Sequence, residues 1–155
     1  MGVALWSFVI GVASGLRAFT GPAAAAWAAH LGWINLAGSP LAFMGTKWAV
    51  GVFTLLALIE YVTDQLPSTP ARTVPMQLGA RLVLGALAGA CLGIGGGSSL
   101  IAGAVCGAIG ALVGTLGGYR ARIGLKQALG VPDIAVAIPE DLIAIGLALF
   151  AASRF

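Results

Sequence analysis

The sequence predicts an all-α integral membrane protein with about five transmembrane segments, the first of them long and broken or re-entrant near Arg17. Of 155 residues, 59% are hydrophobic and only 8% are charged, with a mean hydropathy of +1.02. A soluble domain carries about 25% charged residues and covers its surface with them, which thirteen charges cannot do here. Apolar windows also recur at bilayer length, since a hydrocarbon core of about 30 Å takes ~20 mostly apolar residues in a helix. Punctuation by glycine and proline separates these windows with short connections. Residues 1–155 therefore read as a single multi-pass domain without a linker.

Segment one, about 3–30, contains SGLRAFTGPAAAAWAAH, Ser14 to His30, with an arginine inside an apolar, small-residue run. No Lys or Arg precedes Arg17, so the segment lacks the basic start of a signal peptide and is expected to remain in the mature protein. Gly15, Gly21 and Pro22 flank Arg17 and are expected to break the helix. The segment is then either one long broken helix or two half-helices in a re-entrant hairpin. Discontinuous helices at membrane depth line cavities, their N-termini facing anions and their unwound carbonyls facing cations.

The first break runs from Gly32-Trp33 through Asn35, Gly38, Ser39 and Pro40, and Trp33 and Trp48 suit an interfacial aromatic belt. Segment two, about 46–65, carries Glu60 and Asp64, four residues apart and so on one helix face. Three prolines within nine residues, Pro67, Pro70 and Pro75, end it. Segments three and four, about 78–95 and 98–118, meet at the turn Gly95-Gly96-Gly97-Ser98-Ser99. Gly85, Gly89 and Gly93, then Gly103, Gly107, Gly110 and Gly114, recur at three- or four-residue spacing and form flat stripes for close helix packing. Such stripes serve contacts within one chain or between copies, and in a chain this short one is expected to meet a second copy, making a homo-oligomer. A fourth loop is expected to carry Arg120, Arg122 and Lys126 ahead of Gly130-Val131-Pro132-Asp133. Segment five, about 135–153, contains Pro139-Glu140-Asp141, which suits a helix first turn.

With five crossings, Arg72, Arg81, Arg120, Arg122 and Lys126 share one face and Lys47 and Arg154 the other. The positive-inside bias then puts the N-terminus in the cytoplasm and the C-terminus outside. Glu60 and Glu140 each lie about 8 Å inside their segment ends on the same side, so Glu60, Asp64, Glu140 and Asp141 can converge. An acid within the membrane costs on the order of 2.5–3.5 kcal/mol and is paired or faces a wet cavity. The candidate partners are Arg17, Arg72, Arg81 and Arg120, and a charge network joining Arg17 to Glu60, directly or through water or solute, is the sharpest expectation. These eight residues form the candidate solute or ion pathway.

The remaining chemistry is sparse. Cys91 and Cys106 have neither CxxC spacing nor a histidine partner and read as small packing residues, while His30 reads as interfacial. No metal or other cofactor is expected, and no nucleic-acid partner. A nucleophile–base pair, an HExxH run and a Gly-rich nucleotide loop are all missing from the sequence, which argues against an enzyme. A weak inverted repeat is suggested by GTLGGYRARIGLKQALGVPD, which repeats the order of a Gly-rich segment, an arginine, a Gly-bounded turn and an acid-bearing helix.

The stretches SGLRAFTGPAA, EYVTDQLPSTPARTVP with LGARLVLGALAGA, GALVGTLGGYRAR and IAVAIPEDLIAIGLAL occur in this order and cover most of the chain. In them the sequence resembles the bacterial membrane-protein family catalogued as domain of unknown function 4126. The run Glu60 to Arg72 is the most specific, and this chain has Gln65 where family members commonly have lysine, which removes a partner for Asp64. The resemblance implies a small protein of the bacterial plasma membrane but no particular activity. From the residues, a transporter or channel for a small solute or ion is the leading expectation. The alternative is a structural or assembly protein whose ion pairs and glycine stripes fix packing, with the lipid bilayer as partner in either case.

Overall fold

The structure, a computed structural model, describes residues 2–66 and 73–155. Among them are six α-helices and no strand: α1 Gly2–Leu16, α2 Thr20–His30, α3 Lys47–Thr63, α4 Pro75–Gly95, α5 Leu100–Leu129 and α6 Asp133–Ala152. Helices α4, α5 and α6 are each long and apolar enough to cross a membrane, and α1 is a shorter apolar helix. An all-α membrane architecture follows.

Local chemistry sets the helix ends. The Thr46 and Ser99 hydroxyls accept from the amides of Ala49 and Ile101, each at 3.2 Å, and so cap α3 and α5. Pro75 opens α4, where its missing N–H costs nothing. Gly130, at φ 60°, closes α5 in the left-handed conformation that only glycine adopts readily. The first segment divides because Pro22 has no N–H and its ring would collide with the carbonyl of Ala18 in a continuous helix. Helix therefore stops at Leu16, and the chain turns over Arg17, Ala18 and Phe19. The break falls between Gly15 and Gly21, both of which lie inside helices, with Pro22 in the first turn of α2.

After that turn the chain doubles back. Helix α2 runs antiparallel to α3, with Thr20 bonded to Tyr61 at 2.7 Å, Trp27 to Thr54 at 3.0 Å and His30 to the Gly45 carbonyl at 3.0 Å. Helix α1 runs antiparallel to α6, from the Trp6–Phe150 ring contact at 5.5 Å to the Arg17–Asp141 pair. The inner ends of α1 and α2 thus meet the C-terminal end of α3, the middle of α5 and the N-terminal parts of α4 and α6. At the opposite end Gly96 lies against Val3 and Phe155, and Arg154 stacks on Phe150 and Trp6. The connection between α2 and α3 folds over that end, burying Ile34, Leu36 and Met44 against the core.

All seven stripe glycines face partners inside the chain. Gly85, Gly89 and Gly93 of α4 press on Gly103 and Gly107 of α5, while Gly110 and Gly114 press on the backbone of Phe8 and Val12 in α1. Gly11 and Gly15 of α1 return the contact at Gly107, Ala111 and Thr115. A methyl built on Gly107 would overlap the Gly85 carbonyl, so α1, α4 and α5 touch backbone to backbone. The expectation that a stripe waits for a second copy is thereby corrected.

Two further expectations change. Residues 119–129 continue α5 instead of forming a loop, because two glycines at 117 and 118 cost only about 1 kcal/mol each and the next breaker is Gly130. Pro139 lies inside α6, which begins at Asp133, so Glu140 and Asp141 are not in a first turn. The suggested internal repeat also loses its central element, since Arg17 sits in a break and the later arginines in an unbroken helix.

Candidate functional site: a buried charge network

All five acidic residues of the chain lie at the end where the break in the first segment sits. Breaking a helix leaves carbonyls unpaired on one side and amides on the other, and inside a membrane both need partners. The carbonyls of Gly15 and Leu16 each accept from Arg81 Nη1 at 2.9 Å, and Gly15 also from the Thr115 hydroxyl at 3.2 Å. On the other side, Glu60 accepts from the amides of Ala18 at 2.7 Å and Phe19 at 3.0 Å. A cation at a helix C-terminus and an anion at an N-terminus each match the helix dipole. Arg81 and Glu60 are themselves joined at 3.5 Å.

Arg17 occupies the turn and is completely buried. Its Nη1 donates to Asp64 and its Nε to Asp141, tying α3 and α6 to the break. The third nitrogen, Nη2, is buried without a hydrogen-bond partner among the described residues, as is the Ser14 hydroxyl one turn earlier. Asp64 ends α3, where the dipole disfavours an anion, but Arg81 also reaches it at 3.5 Å. A neighbouring cluster completes the end. Arg122 holds Asp133 through two bonds, at 3.2 and 2.6 Å, and Glu140 at 3.3 Å, while Lys126 meets Asp133 at 3.2 Å.

The structure brings together Arg17, Glu60, Asp64, Arg81 and Asp141, and sets Glu140 beside them through Arg122. The direct Arg17–Glu60 pair is corrected. Glu60 sits one turn before Asp64 and turns to the start of α2, so the two residues are linked through Asp64 and Arg81. Arg120 is exposed and points away, because two residues along a helix is nearly the opposite face, and Arg122 takes its expected place. Arg72 lies outside the described residues, as do residues 67–71. Cys91 is buried in the apolar core and His30 lies at the far rim, as their sequence settings suggest.

Sequence reasoning missed Arg122, Asp133, Thr20, Tyr61 and Thr115 as partners. Arg122 and Lys126, four apart on one face and followed by an acid just past the helix stop, carried a readable signal. The hydroxyl partners carried none, since nothing in the sequence tells which helix faces the break.

The family model described as "Domain of unknown function (DUF4126)" matches residues 4–153. This chain belongs to that family. No curated protein and no solved structure matches it. The DUF4126 match spans the break, the glycine contacts and every charged residue of the network, so in this chain the network is part of the family domain.

Proposed function

We propose that this DUF4126 protein is a transporter or channel for a small solute or ion in the bacterial plasma membrane, and that the charge network forms its pathway. The observation that carries the reading is the break at Arg17, whose two helix ends are met by charged side chains from α3 and α4. Broken helices at membrane depth form solute and ion sites in transporters. The sign of the substrate follows from occupancy. The amide end of α2, which would attract an anion, already holds Glu60, whereas Asp64, Glu140 and Asp141 surround the turn. A cation, the proton included, is the substrate class this favours.

The positive-inside bias puts the charged end, with Arg81, Arg120, Arg122 and Lys126, in the cytoplasm. Helices α1 and α2 then form a re-entrant hairpin from the outer side and α3 to α6 four crossings, with both termini outside. This replaces the five-crossing orientation. No catalytic role is proposed. Self-association would use the exposed apolar faces of α3 and α5, since the glycine stripes are occupied.

The test is flux into proteoliposomes under imposed proton, sodium and potassium gradients. The expected result is cation movement by the parent and its loss in Asp141→Asn, with the variant still folded. Absence of movement for all three cations would favour the structural alternative, which the complete burial of Arg17 also suits.

A further inference from the structure

Helices α5 and α6 splay apart beside the charge network and leave a cleft of about 330 Å³. Its walls are Ala121, Leu125 and Leu129 on one face of α5 and Ala135 and Ile143 on α6, and its floor reaches Leu16, next to the break. The lining is apolar apart from Arg122 and Glu140, and Leu125, Leu129 and Ile143 at its edges remain exposed. An apolar, laterally open cleft would collapse or bind an apolar guest in water. In a bilayer the surrounding medium supplies that guest.

The head of the guest follows from charge and length. At 1.5 Å per residue the 30 residues of α5 span about 45 Å, some 15 Å more than the hydrocarbon core, so its last turns reach the headgroup layer. Those turns carry Arg122, which lines the cleft, and Lys126 one turn further along, which shares Asp133 with it. Lys126 is 45% exposed and, among the described residues, has one acceptor, Asp133, for three donors. We propose that the cleft holds an acyl chain of an anionic phospholipid, with the lipid phosphate at Lys126 and Arg122. Basic pockets between membrane helices on the cytoplasmic side select such headgroups. The inference is independent of whether any solute crosses the protein.

The experiment measures thermal unfolding of the delipidated full chain in neutral detergent, followed by tryptophan fluorescence. Dioleoyl phosphatidylglycerol or dioleoyl phosphatidylcholine is added, and decanoate in a third arm. Phosphatidylglycerol at about a hundredfold excess over its Kd is expected to raise Tm by roughly 5–10 °C, and phosphatidylcholine by clearly less. Lys126→Gln should bring the phosphatidylglycerol response down to the phosphatidylcholine level. Ala121→Phe, which fills the cleft, should abolish both responses, and Leu129→Trp at the exposed mouth tests the same point without touching the floor. Equal responses to the two lipids in the parent would overturn the proposal, as would a full phosphatidylglycerol response in a folded filled-cleft variant. A decanoate response matching that of phosphatidylglycerol would also overturn it, by making the guest a free amphiphile.

Discussion

Replacing Arg17 with alanine removes a completely buried cation from between two carboxylates. The two acids are left unequally. Asp64 keeps a contact with Arg81 at 3.5 Å, while Asp141 loses the arginine that bonds it. Removing one side of a buried pair costs about 3–5 kcal/mol, because the remaining charge stays desolvated. Asp141→Ala should cost less, about 1–3 kcal/mol, because Arg17 keeps Asp64. The double variant Arg17→Ala/Asp141→Ala should be more stable than the sum of the single losses by roughly 1–3 kcal/mol. The Arg17→Ala/Glu60→Ala cycle, in which the residues communicate through Asp64, Arg81 and the Ala18 amide that donates to Glu60, should show about 0.5 kcal/mol. The assay is reversible SDS titration in detergent micelles, read by the fluorescence of the four tryptophans. Additive losses for Arg17 and Asp141, or a stronger coupling of Arg17 with Glu60, would refute the arrangement of the network.

Gly107→Ala should destabilise by about 2 kcal/mol or more, since its methyl meets the α4 backbone, whereas Gly124→Ala, which faces open space, should stabilise by about 0.5–1 kcal/mol in the same titration. Glu60→Ala leaves two amides at the start of α2 without an acceptor and should cost about 1–3 kcal/mol, and faster hydrogen exchange at Ala18 and Phe19 should accompany it. Thr115→Val removes one of the two donors that the described residues bring to the Gly15 carbonyl and should cost only about 0.5–1.5 kcal/mol, because Arg81 remains. Reporters fused before Gly2 and after Phe155 should both read as external and one inserted near Gly130 as cytoplasmic; opposite readings for the two termini would overturn the re-entrant hairpin.

What the sequence made legible is what local chemistry dictates. Composition requires a membrane, Pro22 requires a break near Arg17, and the spacing of Glu60 and Asp64 requires one face. The glycine stripes announced close packing, but whether another helix of the same chain or a second copy fills the groove is decided by α1, where Gly11 packs on α5 together with Gly15, which looked like part of a break. The reach of α5 was misread because Gly117-Gly118 and the following arginines resemble a loop in a hydropathy window, although only Gly130 carries a true stop. Arg120 and Arg122 differ by two positions and therefore by almost half a turn, and no property of either residue alone selects the one that faces Glu140.

The partners of Arg17 lie 47 and 124 residues further along the chain. At roughly 5–20 residues per second, about 6–25 s of synthesis separate the arginine from Asp141. During most of that interval Asp64 alone pairs the arginine, and Arg17 Nε waits for its acceptor on α6. Completion of the charge network at the break is thus tied to the arrival of the last helix. The earliest-made part of the protein is among the last to gain its full set of contacts, and Arg17 should react more readily with water-soluble reagents in a nascent chain halted before α6 than in the full chain.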